Sequence, residues 1–103
     1  MIRVTVMYPR QESGTFNYDY YLNNHVPLMK ARLGSALKKM DMFKGISSAS
    51  GGDEAFITIA HLWFDSVDAL NAAFDPNAQE ILGDMANFTN LQPTVQIDEQ
   101  LNK

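Results

Sequence analysis

Residues 2 to 8 alternate without a break. Ile2, Val4, Val6 and Tyr8 fall on one side of an extended chain, and Arg3, Thr5 and Met7 on the other. A period of two predicts a strand with unlike faces. After the turn-rich PRQESGT the period changes. Tyr18, Tyr21, Leu22, His25, Leu28, Met29, Arg32 and Leu33 recur at helical spacing and share a broad face. Asn17 is placed to cap this helix and Gly34 to stop it. Pro27 lies in its body, where it cannot donate a backbone hydrogen bond and its ring crowds the carbonyl of Asn23. In a helix interior that costs roughly 3 kcal/mol, so a bend is expected two residues beyond His25.

A second strand is expected within residues 37–47, where alternation is poor. SASGGDE then reads as a hairpin loop, and FITIAHLWFD as the clearest strand of the chain. Asp65 or Ser66 caps a helix that runs to Phe74. Asp75 and Pro76 restart it, a cap followed by proline at the first helical position. Ile81, Leu82 and Met85 belong to that second segment, and QPTVQIDE closes the chain as a last strand. Strand, helix, strand, strand, helix, strand is the ferredoxin-like βαββαβ order: an α+β fold with two helices on one face of an antiparallel sheet. The 103 residues make one domain.

Such a sheet leaves one face without helices, and in a monomer that face should be polar. In the 56–65 strand it is not. Thr58, Ala60 and Leu62 form a smaller set that leaves room under a helix, while Ile57, Ile59, His61 and Trp63 lie on the other side. Burying an Ile, Ile, Trp set is worth roughly 1.5–3 kcal/mol per large side chain, and an exposed patch of that kind marks an interface. The expectation is a homodimer with sheets face to face through Ile57, Ile59 and Trp63. The competing reading is a tail or loop of the same chain over that face.

Composition narrows the chemistry. The formal net charge is −4, and the longest basic run is Lys38–Lys39, so neither nucleic acid nor an anionic membrane is expected as a partner. There is no cysteine, which removes disulfides, thiolate metal sites and a cysteine nucleophile. MIRVTVMYP is too short and too alternating for a signal peptide, and no apolar run reaches membrane-spanning length; a cytoplasmic protein is expected. No glycine-rich phosphate loop or serine elbow is present, and no residue pair has metal-ligand spacing, so neither cofactor nor metal is expected.

His25 stands out as a candidate acid or base, because imidazole titrates near neutrality and the bend at Pro27 aims it over the sheet. Tyr8, at the end of the first strand, can reach the same space and orient a substrate oxygen. The alternative is a structural histidine held by a neighbour. Tyr21, Met85 and Phe88 are suited to the wall of an apolar cavity. Asp84 and Asn87, near a helix end, are expected to cap backbone groups, with the mouth of the pocket as the alternative place for them. His61 is expected at the dimer seam; in the reverse register it would share a cavity with His25.

YDYYLNNHVPLM, AHLWFDSVDAL and GDMANFTNLQP together resemble the EthD family, across nearly the whole chain. The resemblance implies a ferredoxin-like subunit in a dimeric α+β barrel. It also implies an association with bacterial ether degradation and a filing under oxidoreductases, owed to neighbouring monooxygenase systems. Electron or hydride transfer needs a redox centre, and this chain has no motif for one. The resemblance therefore points to a small catabolic protein binding an apolar or aromatic oxygen-containing molecule, with His25 as acid or base, Tyr8 positioning substrate, and Tyr21, Leu62, Met85 and Phe88 shaping the walls. A cofactor-free isomerase or cyclase, and a non-catalytic carrier beside a monooxygenase, are the alternatives.

Overall fold

The computed structural model describes residues 1–102. β1 (Ile2–Pro9), β2 (Lys39–Lys44), β3 (Phe56–Phe64) and β4 (Thr94–Glu99) form one antiparallel sheet in the order β2-β3-β1-β4. β1 is central. It pairs with β3 from Ile2 opposite Phe64 to Tyr8 opposite Thr58, and with β4 from Ile2 opposite Glu99 to Met7 opposite Thr94. Even-numbered residues of β1 and β3 face the helices: Ile2, Val4, Tyr8, Ala60, Leu62 and Phe64 are all buried. The sheet is ferredoxin-like, with the helical arms on one face.

β2 was hard to read because it is an edge strand. Its Lys39, Phe43 and Lys44 are exposed, and only Met40, Asp41 and Met42 are partly covered. One uncovered edge needs no strict alternation.

The first arm departs from a plain helix. It begins as α1 (Tyr18–Tyr20), capped by Asn17, whose side chain accepts from the Tyr20 amide at 3.0 Å. It widens into a π-helical turn over Tyr21–His25, where the Val26 amide reaches back five residues to the Tyr21 carbonyl. It resumes as α2 (Val26–Leu33) and ends at Gly34, whose φ of 59° lies in the left-handed region open to glycine. Pro27 is thus in the first turn of α2, where its missing N–H matters little. The expected interior strain is absent, because the wide turn falls where proline cannot donate. The extra residue also rotates the faces. Tyr21, His25, Val26, Met29 and Leu33 are buried, whereas Leu22 and Arg32, expected inward, are exposed.

The second arm is short and broken. Ser66, not Asp65, caps α3 (Val67–Phe74) by accepting from the Ala69 amide at 3.0 Å. Asp75 is not a fresh cap: Asp75–Asn77 is a 3-10 turn that carries on from α3. α4 (Ala78–Gly83) and a further 3-10 turn, Asp84–Asn87, complete the arm. Asn77 ties it to the first, its amide donating to the Arg32 carbonyl at 3.1 Å and the Ala73 carbonyl at 2.9 Å. The arm leaves part of β4 uncovered. Val95 and Ile97, opposite Val6 and Val4, are 58% and 50% exposed although they lie on the helix side of the sheet.

If Pro27 belongs to a helix start, replacing it stabilises nothing. Pro27→Ala should lower stability by about 0.4–1 kcal/mol through the greater freedom of the unfolded chain. A gain approaching 3 kcal/mol in urea unfolding would instead reveal an interior proline.

Candidate functional site

Between the arms and the sheet lies a cavity of about 360 Å³, within the range of small-molecule sites. β1 supplies Val4, Val6 and Tyr8 to its floor, and β3 supplies Ala60, Leu62 and Phe64. The first arm adds Tyr21, His25, Met29 and Leu33. The second arm adds Leu70, Phe74, Ile81, Leu82 and Met85, with Asn71 and Asp75 as its polar contribution, and Pro93, Val95 and Ile97 complete the lining. Half-exposed Leu82, Val95 and Ile97 form an apolar rim.

The structure brings His25, Tyr8, Tyr21, Leu62 and Met85 around this one space. Phe88 is the exception. It is 3% exposed but stands behind the lining, packed on His25 (ring centroids 4.6 Å apart), Tyr21 (5.0 Å) and Tyr8 (6.1 Å). It braces the site's rings instead of touching the cavity. The Phe88 carbonyl accepts from the Asn17 amide at 2.7 Å, and Thr89 Oγ1 donates to the Thr15 carbonyl at 2.7 Å. The NFTN segment therefore anchors the start of the first arm.

His25 is buried, with 2% of its surface exposed. The wide turn points it at the second arm, where Nδ1 lies 2.9 Å from Asp84 Oδ2. A carboxylate only accepts, so Nδ1 carries the proton in this pair. The other carboxylate oxygen, Oδ1, accepts from Tyr20 Oη at 2.7 Å and Asn87 Nδ2 at 3.0 Å. Asn87 Nδ2 also donates to Tyr20 Oη at 3.2 Å. Asp84 is thus not a helix cap, as the chain had suggested, but the hub that orients the imidazole. Its partner Tyr20 had no signal in the sequence, since the contact spans 64 residues.

Electrostatics fix the protonation states. Burial lowers the His25 pKa below its ordinary 6.5, and the Asp84 bond and charge offset only part of that. Burial works against ionising Asp84 as well, yet hydrogen bonds from Tyr20, Asn87 and His25 hold it below the usual carboxylate value. The pair at neutral pH is a neutral imidazole donating to a carboxylate, which leaves Nε2 as a free base. Burial, then the nearby Tyr21, raises the Tyr8 pKa far above the ordinary tyrosine value, so its phenol stays protonated. Tyr21 stacks on the imidazole at 5.8 Å. Its own hydroxyl is buried without a hydrogen-bond partner, which costs roughly 1–3 kcal/mol.

His61 is on the opposite sheet face. Its Nδ1 is 3.2 Å from Thr5 Oγ1, which donates to Asp98 at 2.7 Å. It shares no space with His25, and among the described residues no three His, Cys, Asp or Glu side chains converge on a metal-sized point. Nor is any described helix long and apolar enough to cross a membrane.

The EthD domain family model matches residues 12–92. An EthD-like protein of Ralstonia eutropha is 42% identical, with a TM-score of 0.91 over 99% of this chain and 93% of that one. An ethyl tert-butyl ether d (EthD) family protein of Bacillus halodurans is 20% identical, with a TM-score of 0.77 over 98% and 99%. A dimeric protein of Bacteroides fragilis with a ferredoxin-like fold is 11% identical, with a TM-score of 0.58 over 96% and 94%. No curated protein matches the sequence.

Asp84→Asn should push the His25 pKa further below 6.5, because both contributions that raise it are weakened. Between the folded value and 6.5 the unfolded chain binds the extra proton, so stability falls as pH drops below 6.5. In the variant that loss extends to lower pH. Proton NMR titration of the imidazole in both proteins measures the shift, and an unchanged pKa would show that Asp84 does not hold the ring.

Proposed function

The chain belongs to the EthD domain family, and from that premise we propose that it binds a small apolar or aromatic oxygen-containing molecule between helix and sheet and moves a proton on it with His25. One observation carries the reading. A buried, neutral imidazole lies on the wall of an apolar cavity, and one of its nitrogens is committed to a carboxylate. A packing histidine needs no such cavity beside it, and a free surface histidine needs no such orientation. Tyr8 positions the ligand oxygen; Tyr21, Leu62 and Met85 shape the walls, and Phe88 supports them from behind. The chemistry asks nothing of a redox centre, so a link to oxidoreduction lies in an accessory place beside an oxygenase in the cytoplasm.

The active form in this reading is a homodimer. On the sheet face away from the helices, Ile57, Ile59 and Trp63 remain partly exposed in the single chain, next to Phe43 at 55%. Arg3 and Lys39 flank the Trp63 ring at 5.5 and 5.9 Å, and Arg3 pairs with Asp98 at 2.9 Å. An apolar strip bordered by paired charges is the composition of an interface centre and rim.

Two measurements test these readings. A thermal-shift screen of apolar phenols, aryl ethers and ketones should find ligands. Turnover of those that react should then fall about 10²–10⁴-fold in His25→Ala, with affinity kept; unchanged turnover would leave only a carrier. Light scattering should give twice the chain mass, and Ile59→Asp should give the monomer. A monomeric mass for the unaltered protein at micromolar concentration would remove the dimer.

A further inference from the structure

Tyr8 and His25 are the polar pair at one end of the cavity, and the same two rings, Tyr21 and Phe88, pack against both. Asn71 and Asp75 come from the other arm, where α3 meets the C-terminal end of α2. Val4, Val6, Ala60, Leu62, Met29 and Ile81 are apolar, and Tyr21, beside His25, adds a buried hydroxyl without a partner. The paired end is chemically unlike on its two sides. Tyr8 offers a proton, and His25 offers a lone pair at Nε2, backed by Asp84.

A ligand with only an acceptor leaves the base unused, and one with only a donor leaves the phenol unused. A carbonyl with a hydrogen on the neighbouring carbon uses both, more strongly as the proton moves. We propose that the cavity enolises an apolar ketone: Tyr8 Oη holds the carbonyl oxygen, and His25 Nε2 takes the proton from the adjacent carbon. The C–H electron pair becomes the new C=C bond, and the carbonyl π pair moves to oxygen, where the Tyr8 hydrogen bond strengthens. Asp84 faces the imidazolium that forms. Return of the proton to the same carbon regenerates the ketone; return to a conjugated position gives an isomer. No oxidant, reductant or co-reactant enters either outcome. The inference rests on the acid–base reading of His25 above and adds the substrate class and the atom that reacts.

Three probes with one carbon skeleton separate the two readings, all with the full chain. Naphthalene tests the apolar cavity, 2-naphthol mimics the enol, and 2-tetralone has the exchangeable C–H. By calorimetry, 2-naphthol should bind about tenfold or more tightly than naphthalene, and the ratio should fall to about one in Tyr8→Phe, which keeps the ring. In D₂O, the protein should speed deuterium entry at carbon 1 of 2-tetralone, followed by proton NMR, and His25→Gln should slow it about 100-fold. The naphthol-to-naphthalene ratio in the unaltered protein needs no variant to fold. Equal binding of the two, or exchange no faster than in buffer, overturns the enolisation proposal and leaves the apolar site intact. Failure of both naphthalene and 2-naphthol to bind overturns the apolar site and this proposal with it.

Discussion

The hydrogen bond from His25 to Asp84 joins two stretches of chain far apart in sequence, at the place where Tyr20 meets Asn87 and Phe88 packs on the His25 ring. His25 sits in the wide turn of the first arm, and Asp84 opens the last turn of the second. Their contact, braced by Tyr20 and Asn87, fixes one end of the space between arms and sheet. It also fixes the imidazole tautomer, and so which nitrogen is left for a ligand. Without it, the buried imidazole would lack its carboxylate partner, and Asp84 would be held by Tyr20 and Asn87 alone. Much of the proposed chemistry therefore depends on one bond of 2.9 Å.

The wide turn makes that bond possible. In an unbroken α-helix, His25 would keep the phase set by Tyr18, and Leu22 would share its face. The added residue of the π turn turns Leu22 outward and Val26 inward, and aims His25 at Asp84. Proline beside such a turn is economical: its missing donor falls where the ladder is already interrupted. The same region thus departs from regular geometry and supplies the buried imidazole of the cavity wall.

Most of the architecture was legible in the chain because it rests on local signals. The alternation of β1 and β3 gave strand faces that match the burial of Val4, Tyr8, Ala60, Leu62 and Phe64. Asn17 and Ser66 capped where short polar side chains cap. β2 was blurred because an edge strand obeys weaker rules. The π turn was missed because a single extra residue shifts phase without changing composition; only Pro27 hinted at it. Asp84 was visible as a residue and invisible as a partner, since nothing local marks a contact 59 positions away. Phe88 was placed in the wall because aromatic character says nothing about whether a ring faces a void or the ring in front of it.

The uncovered edge at β4 has a consequence for how a ligand would come and go. Leu82, Val95 and Ile97 line the doorway, and all three lie on the helical side of the sheet. A face-to-face association would use the reverse side, where Ile57, Ile59 and Trp63 are found. Traffic through the doorway and cohesion between subunits are then physically separate. Under the proposed association, a molecule would enter and leave without the assembly coming apart.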